Sequence, residues 1–166
     1  MEQVKPIGAD VEGFEILTNA VSSLLNQYPG LNGYEIRFEE LGDDSGIAFS
    51  SDNGALIISE RVSITDRVYQ RCQYPFFIVY RTASTQEYQK LHVQAFFDSL
   101  GKWICREPTV IDDEIIRLAA YPTLSEGRRI TRITRSNSYG LTPNENGVQD
   151  WLLPVTVEYT NEFYMW

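Results

Sequence analysis

From Asp10 the apolar positions Phe14, Leu17, Val21, Leu24 and Tyr28 recur at alternating steps of three and four, which predicts one buried stripe of an α-helix. Asp10 is placed to cap its start, and Pro29-Gly30 to end it. The period then changes. Tyr34, Ile36 and Phe38 alternate with Glu35, Arg37 and Glu39, so Tyr34 to Leu41 reads as a half-buried strand. Gly42 to Gly54 is dense in Gly, Ser and Asp and reads as a surface loop. Two extended segments follow, Ala55 to Ile64 and Val68 to Arg81, parted by Thr65-Asp66-Arg67. The second ends in the run Phe76 to Tyr80, as a strand buried on both faces would, and Pro75 inside it predicts a bulge or an edge at that point.

Ser84-Thr85-Gln86-Glu87 matches a helix capping box and predicts a helix from about Thr85 to about Cys105. Val93, Phe96, Phe97, Leu100, Trp103 and Ile104 form its apolar face. Between Pro108 and Pro122 the spacing of Ile111, Ile115, Ile116 and Leu118 predicts a short helix within Arg106 to Gly127. Two last strands, Arg128 to Tyr139 and Val148 to Tyr159, flank a turn-forming loop from Gly140 to Gly147, with Trp151, Leu153, Val155, Val157 and Tyr159 on one face. The expected fold is α+β, a single domain over residues 1–166, with a mostly antiparallel sheet of about five strands against two main helices.

Composition narrows the function classes. With 43% apolar and 13% aromatic residues the chain can bury a core, and its high Tyr count suits filling that core first and meeting partners second. The net charge of -9 argues against a broad cationic clamp on nucleic acid. Cys72 and Cys105 stand 33 positions apart with one histidine in the chain, which signals neither a disulfide framework nor a zinc site. Met1 to Asp10 carries acid and proline where a secretory signal needs a basic start and an apolar run, so the expectation is a soluble protein made inside the cell, without a membrane partner.

Candidate chemistry is sparse. His92, between Leu91 and Val93 on the second helix, is the one imidazole, and a lone histidine there reads as structural before catalytic. Asp43-Asp44 and Asp112-Asp113-Glu114 offer adjacent carboxylates, yet neighbouring loop residues tend to point apart, and Asp112 to Glu114 equally suits a helix N-terminus. No phosphate-binding glycine loop, dinucleotide fingerprint or nucleophile elbow occurs. No catalytic residue, cofactor or metal is therefore expected. The notable charge group is Arg128, Arg129, Arg132 and Arg135 on a predicted strand. Strict alternation puts Arg129 and Arg135 on one face and Arg128 and Arg132 on the other, unless a bulge intervenes. These arginines, with Phe163, Tyr164 and Trp166 at the aromatic end, are the expected inter-subunit or partner contacts.

The stretch Tyr74-Pro-Phe-Phe-Ile-Val-Tyr-Arg-Thr-Ala-Ser-Thr-Gln-Glu-Tyr, the helix bearing Phe96, Phe97, Leu100, Trp103 and Ile104, and the closing Val155-Thr-Val-Glu-Tyr resemble the tail terminator, or minor capsid, family of long-tailed bacteriophages. The likeness runs in order through most of the chain, although the 106–127 region and the aromatic terminus have no counterpart in it. It implies a structural virion protein, not an enzyme: a homomeric ring, commonly a hexamer, that caps the tail tube in the neck and joins tail to head. Its partners would be further copies of itself, the tail tube protein and a head completion or connector protein, with DNA passing the lumen without specific binding. A different neck component, such as a head completion or connector protein, is the alternative. A small hydrolase using His92 is a third reading.

Overall fold

The computed structural model describes residues 5–83 and 87–165. Its backbone is α+β. Two helices and ten strands occur among the described residues, and eight of the strands join one sheet. That is more strands than the sequence pattern predicted.

Strand β1 (Gly8–Ala9) leads into α1 (Val11–Leu25). Asp10 caps the helix, its Oδ1 accepting from Gly13 N at 3.1 Å. Leu17, Val21, Leu24 and Tyr28 are buried as their spacing requires. The strand expected over 34–41 shrinks to β2 (Ile36–Phe38). Asn26, just after the helix, donates to Ile36 O and accepts from Ile36 N, taking up the backbone groups a longer ladder would use, and Glu39 adopts a positive φ of 52°.

The loop expected over 42–54 is corrected in its middle. Gly46–Ser51 forms β3, with Ile47, Ala48 and Phe49 all buried. Turn-forming glycine, serine and aspartate dominate the composition of that stretch and hide three consecutive apolar residues, enough for a short strand between two partners. Strand β4 (Leu56–Val62) and the long β5 (Arg67–Thr82) follow, then α2 (Glu87–Ile104). The capping box at Ser84 lies outside the described residues.

The short helix expected within 106–127 is also corrected. Thr109–Ile111 (β6) and Glu114–Ile116 (β7) pair as a separate antiparallel hairpin. Its turn is Asp112-Asp113, both at positive φ (51° and 65°), the backbone of a tight two-residue hairpin and incompatible with a helix start. Strands β8 (Arg128–Arg135), β9 (Tyr139–Gly140) and β10 (Gln149–Tyr164) complete the chain.

The sheet is built around β5 and β10, 16 residues each, paired antiparallel from Gln149↔Thr82 to Tyr164↔Arg67. Their flanks match. Along β5, β4 covers the first half and β3 the second, while along β10, β9 covers the start and β8 the rest. Each long strand carries a proline at the gap between its two short partners. The Pro75 carbonyl accepts from Asp52 N, and the Pro154 carbonyl from Ser136 N, so the missing N–H of each proline faces the break in the ladder. The edge expected at Pro75 is therefore found in this local form.

Side chains at even positions of β5 and odd positions of β10 point inward, and both helices lie on that face. Phe49, Tyr74, Phe76, Ile78, Phe97, Leu100, Val157 and Tyr159 form its fully buried centre. The Tyr28 ring stacks edge-on with Trp103 at 5.4 Å, and its hydroxyl donates to Ser99, which ties α1 to α2.

Gly127, at φ +79°, holds the start of β8 against β10, where Glu162 N donates to Gly127 O. A Cβ there would come within 2.1 Å of the Glu162 carbonyl oxygen, which is backbone and cannot rotate away. Gly127→Ala is expected to cost about 3 kcal/mol, combining strained φ with overpacking. Thermal unfolding should show a fall of roughly 10 °C.

Candidate partner-docking surface

The sheet face away from the helices has two zones. At the β3 and β9 end it is apolar, with Phe77, Val79, Leu152 and Pro154 partly exposed. At the β4 and β8 end it is cationic. Ladder parity places Arg61, Arg67, Arg71, Arg129 and Arg132 on that side, with Tyr69, Glu158 and Glu162 among them. Five arginines against two glutamates leave +3 on this zone in a chain of net -9, so the remainder carries -12. Arg61 and Arg67 both lie over the Tyr69 ring, at 4.9 and 5.1 Å from its centre, and Arg67 pairs with Glu162 at 2.5 Å.

Two bulges shape this zone. One falls in β4 between Ile57 and Ser59, the other in β8 opposite the Glu158–Tyr159 step. Both sit at one level of the sheet, because Ile57 pairs with Cys72, Cys72 with Tyr159, and Tyr159 with Ile130. Beside them lies a depression of about 400 Å³ lined by Ile58, Arg71, Gln73, Thr131, Arg132 and Glu158.

The β8 bulge settles the four arginines singled out by their clustering. It leaves Thr131 over and inverts the alternation, so that Arg128 and Arg135 share the inner face while Arg129 and Arg132 share the outer one. Arg128 is 7% exposed and grips Asp10 through Nε to Oδ2 (3.0 Å) and Nη2 to Oδ1 (2.7 Å). Tyr159 donates to the same Oδ2 at 2.7 Å. Burial alone would raise the Asp10 carboxyl, yet the bonds from Arg128, Tyr159 and Gly13 outweigh it and hold the group below its ordinary value. Burial and the adjacent Asp10 push the Tyr159 phenol upward, and burial raises the Cys72 thiol to about 11. Arg135 bonds Glu107 at 2.6 Å, and Arg132 bonds Glu158 at 2.6 Å. Arg129 is exposed on the outer face.

Phe163 (40% exposed) and Tyr164 (62%) end β10, opposite Val68 and Arg67, and Trp166 lies outside the described residues. His92 is exposed on α2. Among the described residues no group of three His, Cys, Asp or Glu side chains is placed to hold a metal ion, and no helix is long and apolar enough to cross a membrane. Asp112 and Asp113 stand at the exposed tip of the β6–β7 hairpin, whose paired Val110 and Ile115 are 64% and 79% exposed.

Clustering by sequence finds Arg129 and Arg132 but misses Arg61, Arg67 and Arg71. The alternation Arg67-Val-Tyr-Gln-Arg71 was the available signal: once β5 is a strand, it sets both arginines and Tyr69 on one face. No family model matches the chain, and no curated protein matches it.

Proposed function

We propose that this protein is a structural virion component of tail terminator type, a subunit that assembles with copies of itself into a ring at the head-proximal end of a phage tail tube. The observation that carries this reading is the two-sidedness of the molecule. Helices and a hairpin arm lie on one side, and an open sheet face with apolar and arginine zones lies on the other. A subunit that docks head to tail needs two different surfaces, and such contacts close into rings when the rotation between copies allows. The reading also draws on the resemblance seen in the sequence; the chain runs from a first helix through strands to a second helix and ends on a Tyr-bearing strand, with a hairpin and two further strands between the second helix and that last strand. The net acidic balance outside the arginine zone suits a passage for DNA, because it offers phosphate no net counter-charge.

Light scattering across a concentration series, with negative-stain microscopy, should show closed rings, at the least in the presence of tail tube protein. A chain that stays monomeric and ignores tail tubes would count decisively against this function. Capture of portal or connector protein in place of tube protein would move the assignment to another neck component.

A further inference from the structure

We propose that the β6–β7 hairpin is a docking arm whose acidic tip seats in the arginine-lined depression on the sheet face of the next copy. This names the subunit contact and so rests on the ring reading above. The arm belongs to the helix side. Thr109 is buried and bonds Ser99 of α2, and Ile111 and Ile116 pack on the core, while Val110 and Ile115 point away from it. Its tip presents Asp112, Asp113 and Glu114 in succession, all exposed.

The receiving site lies on the opposite side of the sheet. Arg71 and Arg132 line the depression and Thr131 adds a hydroxyl. Arg71 is exposed, and Arg132 pairs with Glu158 while its own side chain stays 68% exposed, so the first guanidinium is open to a carboxylate and the other to a second one. Charge selects the occupant. The zone carries +3 against -12 on the rest of the chain, and the arm projects carboxylates together with exposed aliphatic side chains from a paired hairpin on the opposite side of the subunit. Arm and depression occupy opposite sides of one subunit, so the contact is head to tail and leaves a free arm and a free depression on every open chain.

Sedimentation velocity at low and high salt tests this on the full chain. Arg71→Glu with Arg132→Glu, and separately Asp112→Lys with Asp113→Lys, should each weaken self-association by at least about tenfold. An equimolar mixture of the two variants should regain association through reversed arms in reversed depressions, and high salt should weaken the wild type. The substituted residues are exposed, and unchanged circular dichroism spectra would show that the variants remain folded. Rings that persist undiminished in both variants would end the arm contact and leave the ring function standing. A wild-type chain that never associates would end both. If the arginine variant instead lost binding to single- or double-stranded DNA while self-association held, the depression would be a nucleic-acid site and the proposal would fail.

Discussion

Replacing Asp10 by Ala should lower the free energy of unfolding by about 3–5 kcal/mol, the range for removing one partner of a buried ion pair. The substitution leaves Arg128 charged and 7% exposed, removes the acceptor of the Tyr159 hydroxyl and uncaps α1 at Gly13. Urea denaturation of the variant measures the loss, and a deficit below about 1 kcal/mol would show that the pair does not hold the N-terminal segment to the sheet. Asp10→Ala combined with Arg128→Met should recover much of the difference, since it is the buried charge, left with only the long 3.5 Å contact to Glu126, that costs most. The pH dependence has a definite sign. The folded carboxyl titrates below its ordinary 3.8, so the pair contributes fully above that value. Its contribution fades as pH falls through the lower, folded value. The Ala variant should therefore show a shallower loss of stability than the wild type on acidification through that window.

A cost of similar size, about 3–5 kcal/mol, is expected for Phe76→Ala. Phe76 is 1% exposed, with the Phe49 ring 5.8 Å away edge-on and the Tyr74 ring at 5.9 Å, and α1 and α2 close over the cluster. Phe77, one residue along, points to the uncovered face. Phe77→Ala should cost the isolated chain less than half as much, because a partly exposed ring forfeits less transfer free energy and leaves no closed cavity. If Phe77 proved as costly as Phe76 in a dilute monomer, the face that carries it would be covered by the chain itself.

These contrasts also mark what was legible in the residues alone. The stripes of α1 and α2 could be read because each is long, amphipathic and bounded, and the inward set of β10 because its period of two holds from Trp151 to Tyr159. Strand β3 was lost to its composition: Gly46, Ser50 and Ser51 outvoted Ile47, Ala48 and Phe49, whose burial comes from lying between β2 and β5. The hairpin was lost to an ambiguity of short apolar runs, in which Ile111, Ile115 and Leu118 fit a helix as well as they fit two paired strands. For the arginines, alternation failed at the Thr131 bulge, and the partnership of Asp10 with Arg128 spans 118 residues, so no local pattern announces it. The cationic zone was partly visible in Arg129 and Arg132. Its other members entered only when β4 and β5 were set beside β10.

The uninterrupted pairing of β5 with β10 has a mechanical consequence. Sixteen residue pairs at strand rise make a double-stranded beam roughly 50 Å long. Its two prolines fall where a side strand ends, so neither cuts the central ladder. A push on the exposed Phe163–Tyr164 tip is thus carried by cross-strand hydrogen bonds to the Arg81–Asp150 end with no joint to absorb it, and whatever grips one end of the subunit sets the tilt of the other.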